Sequence, residues 1–289
     1  MALTSQPAIA LTAAPASSVE RTRSADATPV AQRSTRDGRM FERVVAASGL
    51  LAAVMVVLTL VLGVLFVGAS LDMLADPSPM LAFNREQSEA LRWANVSSLL
   101  GYGALLLPVV YFVGARLHSV DPRVAPLAQA AGVGYVTFAG INAAMLLSVW
   151  PAFQQAYPLV DPSQRVAVEV AFRALTDAAE VGIQALAYLL GGGWWLLSGA
   201  LLWHFRPRLA ATSVILGIAA WVGTLGLLLR IAPLATVALG LCFVLTPVWS
   251  SWIGVLAWKS RPLGRRVLDI GPPAGHERRQ GERRRRERS

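Results

Sequence analysis

The chain holds a single cysteine, Cys242, among 289 residues, and only three histidines, His118, His204 and His276. One thiol excludes an intramolecular disulfide and a cysteine metal cluster. His118 and His204 fall at the ends of apolar runs, where amphipathic anchoring is favoured over a shared haem or metal. The sequence has no HExxH, no phosphate-cradling glycine loop and no recognisable Ser, His and Asp arrangement. Charge is scarce as well: 15% of residues are Asp, Glu, Lys or Arg, against roughly a quarter in a soluble domain. These gaps lean the reading away from an enzyme and leave no cofactor or metal to expect.

What the chain has is apolar length. Hydrophobic residues make up 55% of it, gathered into runs that meet the roughly 20 residues a helix needs to cross a bilayer. Six spans follow: Val44 to about Ser70, Ala94 to Ala115, Val124 to Trp150, Val181 to His204, Leu209 to Leu229 and Pro233 to Trp258. The predicted fold class is all-α, a polytopic six-helix transmembrane bundle over 44–258 with the lipid bilayer as its partner. Residues 1–43 are rich in Ala, Ser, Thr, Pro and Arg and poor in large apolar side chains, which predicts a disordered tail. The opening "MALTSQPAIALTAAP" does not place a basic start before an apolar core, as a secretory signal does, and Met40 is an alternative start. Residues 259–289 end in "HERRQGERRRRERS", which predicts a second disordered tail. Such a run reinforces topology, with contact to anionic lipid as its second reading. Nucleic acid is not expected, because no interleaved aromatics accompany the arginines.

Of 26 Lys and Arg, only Arg85, Arg92, Arg165, Arg173 and Arg230 fall on one side of these spans. Basic residues beside a span resist translocation, so both tails are predicted to be cytoplasmic and these five arginines outer. The expected location is a bacterial-type cytoplasmic membrane. The two longer outer loops carry helix starts: Asn84 with Gln87 three residues on, and Asp161 as a cap with Pro162 and Gln164 behind it. Each predicts a short amphipathic helix leading into the next span. Trp93, Trp150, Trp249, Trp252 and Trp258 lie near span ends and are read as interfacial anchors.

In "RALTDAAEVGIQAL", Arg173 to Leu186, two carboxylates precede an almost uncharged run. At about 100° per residue, Asp177, Glu180, Gln184, Tyr188, Gly191, Trp195 and Ser198 share one helical face. In hydrocarbon such a face must turn inward. Ala128, Ala131, Tyr135, Ala139 and Asn142 form a matching stripe on the third span. One reading is an Asn142 to Gln184 hydrogen bond that joins the two helices, although the two residues stand at unequal depths from the span ends as drawn. The functional reading makes Asn142, Asp177, Glu180, Gln184 and Tyr188 the lining of an outward-facing cavity for a small polar or cationic ligand, with Glu180 as proton carrier. Gly191 to Gly193, Pro108 and Pro247 are read as packing features rather than breaks around a substrate.

The short inner turn in "HFRPRLAATSVILGIAAWVG" and the final span ending "LTPVWSSWIGVLAW" resemble bacterial membrane proteins grouped as domain-of-unknown-function family 4386. The resemblance covers about Phe41 to Trp258 and rests on helix order and the turn Pro207, Arg208, Leu209. It implies a multi-spanning helical fold and carries no residue roles. Two functional readings stand. The first is a non-enzymatic accessory or sensory membrane module; the alternative is a small-solute transporter or receptor with an outward-facing polar cavity between the third and fourth spans. Protein partners are not legible in the sequence.

Overall fold

The computed structural model describes residues 28–66 and 77–259. Among them every regular element is helical. Helix α1 (Thr28–Val61) ends in a π turn, Leu62–Phe66; α2 (Arg85–Ser98) passes through a π turn, Leu99–Ala104, into α3 (Leu106–His118). Then come α4 (Ala125–Ala156), α5 (Arg165–Asp177), a third π turn (Ala178–Ile183), α6 (Gln184–Leu202), α7 (Pro207–Leu228) and α8 (Ala232–Trp258). Together they make six helices long and apolar enough to cross a membrane, as hydropathy predicts. The amphipathic α2 and α5 are the opening segments of the second and fourth of these.

Most of both tails, and the end of the first span near Ser70, lie outside the described residues. Residues 28–43, predicted to continue a disordered tail, are helical. Once a span supplies a formed helix, further residues need only propagation and not nucleation, so Ala, Arg, Gln and Met extend it. Among the described residues, those up to Phe41 and those from Glu42 onward belong to separate units. The packing below is that of the second.

Neighbouring spans close through small residues. A methyl group on Gly49 would stand 2.8 Å from the Ser250 carbonyl oxygen, and one on Gly254 3.0 Å from that of Ala46, so α1 and α8 touch backbone to backbone. Gly192 and Gly217 bring α6 and α7 equally close: each lies against the other's carbonyl oxygen, 3.0 and 2.8 Å from such a methyl position. Close approach gives dispersion contact along the helices, the main attraction where lipid is as apolar as leucine. Gly191 admits Tyr135, while Gly193 faces open space.

Aromatic rings fill the middle. Trp194 lies 5.5 Å from Trp195 and 5.2 Å from Trp249 between ring centroids, and Tyr135 stands beside both Trp194 and Trp195. Trp249 donates to Ser213 Oγ at 2.8 Å, and Trp150 to Thr176 Oγ1 at 3.2 Å. These two tryptophans, predicted as anchors, are core residues. Position along a span says how deep a ring sits but not which face carries it, and these faces meet hydroxyl partners. Trp93 and Trp258 are exposed.

A second buried cluster, Leu81, Leu91, Leu146, Trp150, Phe172 and Ala179, lies at one end of the bundle. There the second, third and fourth spans run long, 34, 35 and 38 residues, against 22 and 27 for the fifth and sixth. At 1.5 Å per residue the long ones reach about 50 Å or more, beyond a hydrocarbon core of roughly 30 Å. This projecting end is the crown. The ends drawn at Trp150 and Val181 are therefore too short: α4 continues to Ala156 and a 3-10 turn, Tyr157–Leu159, and α5 joins α6 without a break. Hydropathy marks where lipid contact stops, not where the helix does.

Helix ends follow local chemistry. The Gln87 N–H donates to Asn84 Oδ1 at 2.8 Å and the Asn84 N–H to Gln87 Oε1 at 3.2 Å, the reciprocal cap predicted for α2. Asp161 does not cap α5. Its carbonyl accepts from the Gln164 N–H at 2.8 Å, so a turn takes up these residues and the helix starts at Arg165. An unpredicted cap is Asp121, whose Oδ1 accepts from the Arg123 and Val124 N–H groups ahead of α4. Past the end of α7, Arg230 has φ 55° and the Ile231 N–H reaches back to the Gly226 carbonyl at 2.9 Å. Glycine is usual at such a left-handed position, and a side chain there costs roughly 1–2 kcal/mol.

Candidate functional site

Asn142 lies on the buried face of α4 and Gln184 at the first turn of α6. Asn142 Nδ2 donates to Gln184 Oε1 at 2.7 Å, a direct bond between the third and fourth spans. The unequal depths read from hydropathy disappear because both span ends had been drawn short. Gln184 also meets the hydroxyl of Tyr188, one turn further along α6 and buried. The structure thus brings Asn142, Gln184 and Tyr188 together, with Tyr135 and the tryptophans beneath them. Asn142 Oδ1, Tyr102 Oη, Trp195 Nε1 and Ser198 Oγ are buried without a protein partner.

Asp177 goes elsewhere. It lines a cleft of about 280 Å³ with Arg173, Val181, Gly226, Leu227, Arg230, Ala232, Ala235 and Thr236. The cause is the π turn Ala178–Ile183, which lies between Asp177 and Gln184. A π turn holds one residue more than an α turn, so it rotates the following face by about 100°. Residues seven apart, nearly eclipsed in an uninterrupted helix, therefore separate around the axis. Glu180 sits within the turn itself, half-buried, one turn from Gln184. Of the five residues predicted to line one cavity, Asn142, Gln184 and Tyr188 meet at a bonded helix contact, Asp177 lines a cleft against the α7 to α8 turn, and Glu180 lies between them in the π turn. Compared with models of known families, with curated proteins and with solved structures, the chain matches none.

The bonded contact holds helices together. Asn142→Ala removes the donor and leaves the half-buried Gln184 amide without this partner; the expected loss of stability is about 1–2 kcal/mol. Unfolding midpoints of both single variants and of Asn142→Ala with Gln184→Ala check it. A coupling of zero in that cycle would remove the pair as a tie between the spans. Sequence reasoning missed Arg230 and Thr236 as cleft residues. The signal available was the placing of Arg230 alone in the short turn before the sixth span, which marks a side but not a cleft.

Proposed function

We propose that this chain is a non-enzymatic, multi-pass membrane module that makes its contacts through the crown. The crown carries the reading: three helices continue past the length a bilayer requires and fold against one another around a core of their own. Its ties are made by particular side chains. Trp150 bonds Thr176, Gln154 Nε2 donates to the Met80 carbonyl at 2.9 Å, and the Tyr157 hydroxyl donates to Glu169. On its surface α5 exposes Val166 and Val170, one turn apart, and the neighbouring 3-10 turn exposes Leu159. Such an apolar patch on a rigid support suits recognition of another protein.

In this proposal the membrane is a bacterial-type cytoplasmic membrane, both tails are cytoplasmic and the crown faces outward. The arginine asymmetry supports that orientation, and kinship with family 4386 belongs to the same reading. A packed bundle beneath a rigid crown suits an accessory or sensory role. A photoreactive amino acid placed at Val170 in living cells is expected to give protein adducts of discrete mass. The same probe at Val237, 75% exposed on α8, is expected to give none. Absence of protein adducts from Val166, Val170 and Leu159 alike would count against the crown as a contact surface.

A further inference from the structure

Arg230 is the one described non-glycine residue with a positive φ. The chain keeps a cation where the backbone favours no side chain at all. An outlier of this kind points to a use for the side chain. Its surroundings suggest which. Arg230 lines the 280 Å³ cleft from the α7 to α8 turn, facing a wall that includes Arg173 and Asp177, with Thr236 contributing a hydroxyl. Helix α8 starts in the same cleft through Ala232, Ala235 and Thr236. Ile231 at its N-cap offers no side-chain acceptor, so the positive end of a 27-residue helix is not covered by a capping side chain.

We propose that this cleft binds a phosphate group, held by the Arg230 guanidinium, the Thr236 hydroxyl and the start of α8. A planar guanidinium matches phosphate oxygens two at a time, and the first turn of α8 adds its dipole and the Ala232 N–H, since Pro233 has no N–H and the Leu234 and Ala235 N–H groups both donate to the Ile231 carbonyl. Asp177, on the other wall, suits a hydroxyl or ammonium carried next to the phosphate. The volume admits a headgroup rather than a bare ion. Leu228 and Leu229, just before Arg230, and Leu234, in the first turn of α8, are exposed, so the turn that carries Arg230 also carries apolar surface. The phosphate belongs either to a phospholipid headgroup or to a soluble phosphate ester, since both present the same oxygens.

Thermal unfolding of the full-length protein, purified in detergent and stripped of lipid, separates these sources. The probes are phosphatidylglycerol against diacylglycerol in mixed micelles, and glycerol phosphate against glycerol in solution. A ligand that binds only the folded state raises the midpoint, by about 5 °C at roughly 100-fold above its Kd. The expected result is such a rise with a phosphate-bearing probe and none with its phosphate-free counterpart. A rise with the lipid alone assigns the site to a headgroup; a rise with glycerol phosphate alone assigns it to a soluble ester. Arg230→Gly is expected to act in two opposite directions. The ligand-free variant unfolds a few degrees higher, because the left-handed strain is relieved, and the phosphate-dependent rise is lost. Arg85→Gln, at an exposed crown arginine outside the cleft, keeps the rise. No rise in the wild type with either phosphate probe overturns the proposal, and so does an undiminished rise in Arg230→Gly.

Discussion

Truncating Trp194 to alanine is expected to cost about 3–5 kcal/mol of stability. The ring is fully buried, stacked against Trp195 and edge-on to Trp249. Its site is shaped for it: a methyl group on Gly132 would lie 3.0 Å from the indole, so the third span forgoes a side chain where the ring passes. Alanine would leave a cavity walled by Tyr135, Trp195 and Trp249. Rigid neighbours on several helices cannot collapse into that space, which is the condition under which a large-to-small change costs most. Loss of the ring pairs adds about 0.5–1.5 kcal/mol to the burial lost. The control is Trp258→Ala, at a ring 68% exposed, where a change within about 0.5 kcal/mol is expected. Unfolding midpoints of the two variants in one detergent make the comparison. Equal midpoints would mean that Trp194 does not organise the bundle.

Gly226→Ala and Gly193→Ala, the same change in two neighbouring helices, are expected to move stability in opposite directions. A methyl group on Gly226 would stand 2.5 Å from the Ala235 nitrogen and 2.8 Å from its Cα. Both are backbone atoms, so no rotamer change relieves the clash and the α7 to α8 hairpin must open. Overpacking of this kind costs about 1–3 kcal/mol. It also disturbs the turn that the Gly226 carbonyl closes with the Ile231 N–H, and with it one wall of the cleft. Gly193 has nothing within 4 Å of the added carbon. There alanine gains helix propensity of up to about 1 kcal/mol. A melting comparison of the pair reads the difference directly, and a wild-type midpoint for Gly226→Ala would contradict the close approach of the two helices.

The span count, the Asn84 and Gln87 cap and the Asn142 to Gln184 contact could all be read from the chain. Each rests on a short-range rule: apolar length, a spacing of three, or a polar residue that must find a partner in hydrocarbon. Asp177 shows where such rules stop. Its place on the stripe assumed unbroken α-helical phase, and nothing in "AAEVGI" announces the π turn that moves it into another cleft. The crown was half legible, since its helix starts are coded in the loops while its core joins residues far apart in sequence, such as Leu81 with Phe172. Trp249 and Trp258 look alike in the chain and differ in burial because only the neighbouring helices decide which face is covered. Arg230 lacked the glycine by which a left-handed helix end is usually recognised.

The contacts of Ala46 with Gly254 and of Gly49 with Ser250 show that α1 and α8 run antiparallel. Met55 and Val56 of α1 also lie against Gly101 in the second span, so the first helix has a neighbour on each side. The remaining spans touch in chain order, with smaller contacts from the second span to the fourth and the sixth, and the last returns to the first. The packed spans therefore make a cycle with no outermost member. Opening the chain at the short turn after Leu202 and joining residue 259 to residue 42 by a linker would preserve each of these interfaces. For the packing, the position of the two chain ends is incidental.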